Sequence, residues 1–139
     1  MTLKPYSASV LSVAGFILSG MGLYFILLRP PLLPEDLHYM GTSMRTVKQH
    51  LPMLPSWLQK VFWVLGGHLF TTGLLTVFMA RTSFRTRSPG VVTITMLAGL
   101  SSIGWMTIVN FIIGSDFMWL LLSFTFPWVV ALVLYRLRI

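Results

Sequence analysis

The sequence encodes an all-α fold, an integral membrane bundle of four transmembrane helices. Composition is the first reason. Of 139 residues, 55% are hydrophobic and 9% charged, and the mean hydropathy is +0.81. A soluble domain carries roughly 25% charged residues, so this chain has too few to cover a water-facing surface. The second reason is distribution. The apolar residues gather in four runs, Ala8–Leu28, Val61–Ala80, Val91–Ile113 and Phe117–Tyr135, all free of Lys, Arg, Asp and Glu. A helix needs about 20 such residues to cross the hydrocarbon core. The third reason is texture. Phe25-Ile26-Leu27-Leu28 and Trp119-Leu120-Leu121-Leu122 are continuously apolar, without the alternation of a barrel strand. Backbone groups in lipid must be satisfied within the segment, and a helix does this.

The same arithmetic excludes a soluble enzyme, a disordered chain and a disulfide scaffold. With no cysteine, thiolate nucleophiles and thiolate metal sites are absent. A net charge of +7 invites a nucleic-acid reading. The basic residues sit at the ends of apolar runs, however, where membrane orientation explains them.

In chain order, the first span is expected at about 8–28. It exceeds the short apolar core of a signal peptide, and Arg29-Pro30-Pro31 follows it where a small-residue cleavage site would stand. It therefore reads as a retained helix. Arg29 suits the negative C-terminal end, and the prolines stop the helix. The loop 29–56 is the one sizeable non-spanning segment. Pro34-Glu35-Asp36-Leu37 reads as a short helix start with Gly41 as its stop. Thr42 or Ser43 is placed to cap a second short helix through His50. On that helix Met44, Val47 and Leu51 share one face, a pattern suited to the membrane surface.

The second span is expected at about 57–80, with Pro55 in its first turn and Trp57 and Trp63 near the interface. Ser88-Pro89-Gly90 breaks the chain before the third, at 91–113. Ser115 is a candidate cap for the fourth, at 117–135, with Asp116 on its positive end. Pro127 falls inside the fourth span and frees the carbonyl of Ser123. With four spans both termini share a side. Lys4, Arg81, Arg85, Arg87, Arg136 and Arg138 lie there, against Arg29, Arg45, Lys48 and Lys60 opposite. The denser basic side is expected to be cytoplasmic, giving N-in/C-in topology.

Small and weakly polar residues mark the helix faces expected to pack: Ser12, Gly15, Ser19 and Gly22; His68, Thr72 and Thr76 beside Gly67 and Thr71; Thr95, Gly99, Ser102 and Asn110. His68 is the only histidine inside a span. A ligand or lipid cavity lined by His68, Thr72, Ser102 and Asn110 is one reading of these faces, and ordinary packing is the other. For His68 itself, proton relay or haem ligation needs partners that no span supplies, so a neutral imidazole hydrogen-bonded to a neighbour is expected.

The first loop offers Glu35, Asp36, His38, Arg45 and Lys48 as candidate partner contacts. It also holds His38, Met40, Met44 and His50, whose imidazole and thioether groups suit Cu(I). Their spacing matches no established pattern, and no cofactor is required by the sequence. Hydrolase, phosphate-loop and zinc-protease motifs are missing.

The segment Pro34-Glu35-Asp36-Leu37-His38-Tyr39-Met40-Gly41, with Gly66-Gly67 and Thr71-Thr72-Gly73, resembles small bacterial four-helix membrane proteins loosely grouped as DoxX-like. The likeness lies in layout: a short N-terminus, a long first outer loop and a Gly-rich second helix. It implies a helical bundle in a bacterial inner membrane and carries over no functional residue.

The function expected from sequence is non-enzymatic: a structural or accessory subunit that packs with other membrane subunits or with itself. Small-molecule or lipid binding or transport around His68 is the alternative, and a membrane enzyme comes third. The lipid bilayer is the one partner common to all three, and nucleic acid is a partner in none.

Overall fold

The computed structural model describes residues 6–138; Lys4, counted above with the basic termini, lies outside them. Helix α1 spans Tyr6–Leu27. Two short helices follow, α2 (Pro34–Tyr39) and α3 (Met44–His50). Helix α4 (Leu54–Met79) runs without a break into a π-helical turn, Ala80–Phe84. Helix α5 (Val91–Gly99) continues through a second π-helical turn, Leu100–Gly104, into α6 (Trp105–Ile113). Helix α7 covers Met118–Arg136. Among the described residues there is no strand. Four helices are long and apolar enough to cross a membrane: Tyr6–Leu27, Leu54–Phe84, Val91–Ile113 and Met118–Arg136.

The second of these is longer than the apolar run that marks it. It starts at Leu54, with Pro55 in the first turn where a missing N–H costs nothing. It then passes Arg81 and reaches Phe84. The Arg81 guanidinium leans over Phe16, 5.8 Å from the ring centre, while Phe84 is buried. A charge with an aromatic shelf does not end a helix, and the buried Phe84 holds the last turn in place.

Helices α1 and α4 form the tightest pair, and glycines set their spacing. A β-carbon on Gly15 would lie 2.8 Å from the Gly73 carbonyl oxygen, and one on Gly66 would lie 2.7 Å from that of Gly22. Gly15 and Gly22 are seven residues apart, as are Gly66 and Gly73, so the antiparallel helices meet in register twice. Buried Ser19 and Leu69 fill the step between, and buried Ser12 and Thr76 continue the two faces beyond it. This heptad spacing keeps one small-residue stripe facing its partner over several turns. Ser12 and Thr76 turn their hydroxyls onto the carbonyls of Ala8 and Thr72 one turn back, so neither leaves a buried polar atom unmatched. Gly67, one position from Gly66, has open space around it.

The remaining contacts build an arc that closes only at the Ala80–Phe84 end. α1 packs on α4 with one side and on α7 with another. α7 in turn carries α5 and α6. Trp128 of α7 is buried against Gly99, where a β-carbon would come within 2.8 Å of its ring. Pro127 sits inside α7, which nonetheless continues to Arg136. α5 also touches the π-helical turn that ends α4. At that end Thr95 lies 3.9 Å from the sulfur of Met79. Toward the opposite end α6 leans on α7 and stands away from α4. The core joins Leu11, Leu18, Phe84, Ile103, Leu121 and Trp128. Trp105, Trp119 and Phe126 point outward from the helices.

Candidate ligand-binding cavity

The end of the bundle that carries α2 and α3 is clasped by two adjacent acids. Glu35 and Asp36 stand in the first turn of α2, which Pro34 opens. Asp36 Oδ2 accepts the Leu33 N–H at 2.8 Å, closing that turn, and pairs with Arg29 Nη2 at 3.2 Å. Arg29 also donates from Nη1 to the Pro30 carbonyl, and its guanidinium lies 3.6 Å above the Phe62 ring. The Arg29 carbonyl accepts from Gln59, tying the end of α1 to the start of α4.

Glu35 reaches across to the turn between α6 and α7. Ser115 Oγ stands 3.0 Å from each carboxylate oxygen, and the Asp116 N–H donates to Oε2 at 2.8 Å. Ser115 in turn accepts the Phe117 N–H, just ahead of α7. It caps the approach to the helix rather than standing as the N-cap itself, which is Phe117. Helix α2 therefore bridges the two halves of the arc.

Between those halves lies a cavity of about 950 Å³. Arg29, Leu33, Glu35 and Asp36 line its clasped end. Its walls are Ile17, Met21 and Phe25 of α1, Phe62 and Leu65 of α4, Trp105 and Met106 of α6, and Leu121 and Phe124 of α7. Its far end reaches mid-helix. There it meets His68, Thr72 and Ser102, while Asn110, whose carbonyl accepts the Ser115 N–H at 2.9 Å, lines it nearer the clasp; these are the four residues singled out in the sequence as a candidate lining. The signal behind them was the position of polar groups within apolar runs. Spacing alone did not place α4 opposite α6.

The hydroxyl groups in the walls share a hydrogen-bonding state. Thr72 Oγ1 donates to the His68 carbonyl at 2.8 Å, Ser101 Oγ to that of Leu97 at 2.7 Å, and Ser102 Oγ to that of Ala98. Asn110 Nδ2 donates to the Met106 carbonyl at 2.9 Å. Each hydroxyl proton is thus committed to its own helix, and the oxygen lone pairs remain as acceptors. Thr72 meets the His68 backbone; the imidazole is exposed and has no hydrogen-bond partner among the described residues, contrary to the expected neighbour. Ser101 and Ser102 lie in the Leu100–Gly104 turn, so the π-helical geometry falls in the cavity wall. Such turns shift a helix face by one residue and often accompany binding sites.

The other candidates are dispersed. Glu35 and Asp36 are engaged within the chain, whereas His38, Arg45 and Lys48 are exposed. His38 is on α2, Met40 just beyond it, and Met44 and His50 on α3, past the positive-φ turn at Gly41. Among the described residues no group of three or more His, Asp or Glu is placed to hold a metal ion. No acid or second imidazole lines the mid-helix end with His68, so that end has acceptors and no general-base pair. No family model, curated protein or solved structure matches this chain.

Proposed function

We propose that this is a multi-pass protein of a bacterial inner membrane, with cytoplasmic termini, that binds an apolar or amphipathic small molecule in the cavity between α4 and α6. The observation that carries the reading is the cavity itself. At about 950 Å³ it lies in the range of small-molecule sites, roughly 300–1,000 Å³. Apolar walls with a few convergent polar atoms are the composition such sites use. Its open side between α4 and α6 would face the bilayer, which supports entry from the lipid phase. The basic residues around Arg81–Arg87 and the C-terminus support the orientation.

The experiment is native mass spectrometry of protein extracted gently from its own membrane, beside a His68→Trp variant that fills the mid-helix end. A defined small mass on the wild type that the variant lacks is the expected result. Bare wild-type protein, with no retained mass under any mild extraction, would sink the reading.

The same open side favours a second reading, an accessory subunit whose partner helix completes the arc. Exposed Leu65 and Trp105 on its two edges support that reading. A fixed stoichiometry with other subunits in the same spectra would select it, and His68 would then be a packing residue.

A further inference from the structure

Resting on the cavity reading, we infer that the ligand is a lipophilic cation, an amphiphile whose ammonium-like head sits at Glu35. Charge at the clasped end is the first ground. Three ionised side chains line it, and Arg29 and Asp36 neutralise one another at 3.2 Å. Arg29 is further occupied by the Pro30 carbonyl and by the Phe62 ring beneath it. Glu35 is left over. Its carboxylate receives only neutral donors, the Ser115 hydroxyl and the Asp116 N–H, and it has no ion-pair partner among the described residues. With Arg29 and Asp36 paired, the partly buried Glu35 carboxylate leaves the clasped end one negative charge in excess, which a cationic head would offset.

Two further observations point the same way. Beside the Phe25 and Phe62 rings that Arg29 covers, Tyr24 and Phe117 line the cavity with Glu35, and aromatic faces attract cations. Deeper in, Thr72, Ser101 and Ser102 present lone pairs rather than protons, which suits a donor and not an anion. An anionic ligand would meet Glu35 without compensation and find Arg29 already paired.

The test uses two probes of similar size and opposite charge, tetraphenylphosphonium and tetraphenylborate. Each is titrated against the full chain in nanodiscs of zwitterionic lipid, with empty discs subtracted. Glu35→Gln removes the charge and keeps an acceptor for Ser115. Ser115→Ala loosens the clasp and keeps the charge. The expected result is saturable phosphonium binding that weakens about tenfold in E35Q and changes by less than about threefold in S115A, with no saturable borate binding. Borate binding as tight as phosphonium, or phosphonium binding unchanged in E35Q, overturns the inference. If neither probe binds while a neutral molecule is retained on extraction, the charge assignment falls and the cavity reading stands. If neither probe binds and nothing is retained, both fall.

Discussion

Gly22 of α1 and Gly66 of α4 meet backbone to backbone: a β-carbon on either would lie 2.6 or 2.7 Å from the other's carbonyl oxygen. Helices approach this closely only where both partners lack a side chain. Gly22→Ala and Gly66→Ala should therefore each lower thermal stability in detergent, by about 1–3 kcal/mol, because packed backbone cannot move aside. Gly67→Ala adds the same methyl group into open space. It should leave the melting temperature unchanged or slightly raised. Equal losses at Gly66 and Gly67 would mean that the seam is not where α4 meets α1.

Ser115 serves both sides of the clasp, donating to Glu35 and accepting from the Phe117 N–H. Ser115→Ala strands the Phe117 N–H and leaves Glu35 with the Asp116 N–H alone, a local cost of about 1–3 kcal/mol. Amide hydrogen exchange over 34–50 should quicken while the four long helices keep their protection. Loss of protection throughout would show that the clasp supports the whole bundle.

Arg29 has a side chain only 10% exposed, with both nitrogen edges bonded and its flat face on Phe62. Lysine carries the charge but neither the fork nor the plane. Arg29→Lys should cost about 1–2 kcal/mol, and Phe62→Leu, which removes the ring alone, about 1 kcal/mol. Thermal melts of the two variants and their combination give the test. Fully additive losses would show that the stacking contributes nothing.

The Leu100–Gly104 turn holds one residue more than an α-helical turn would. Deleting Leu100, whose side chain points outward, should restore regular winding and leave the faces on either side aligned. Deleting Ile108, also outward-facing but within regular helix, rotates one flank by about 100° against the other. The first variant should fold with near wild-type yield and the second should not. Equal yields would remove the assignment of the extra residue to this turn.

What the sequence conveys here is local. Apolar runs locate the long helices because lipid leaves no other use for them. The small helices are legible through their ends: Pro34 opens one, Gly41 turns at positive φ, and the Ser43 side chain accepts the Thr46 N–H to start the next. The small-residue stripe of α1 is legible because its spacing repeats. In α4 two adjacent glycines obscure the face, and only the three-dimensional pairing shows that Gly66 packs while Gly67 does not. Glu35 looked like a surface contact because its partner, Ser115, lies 80 positions away. The π-helical turns have no compositional mark; Ala80–Phe84 is set where α4 ends against α1 and α5, and Leu100–Gly104 where the third long helix meets α7. His68, Thr72, Ser102 and Asn110 were legible as polar positions, but the divergence of α4 from α6 that gathers them around a cavity is tertiary.

The place of α1 at the centre of the arc also bears on biogenesis. Helix α1 leaves the ribosome before either helix it packs on: α4 follows the short helices, and α7 follows α6. Until Met118–Arg136 is made, the face of α1 that it covers has only lipid or an insertion factor to meet. A chain arrested before α7 should then hold a docked α1–α4 hairpin beside a third span anchored only where α5 meets the end of α4. The assembly intermediate most exposed to quality-control proteolysis would thus be one that already holds three of the four long helices.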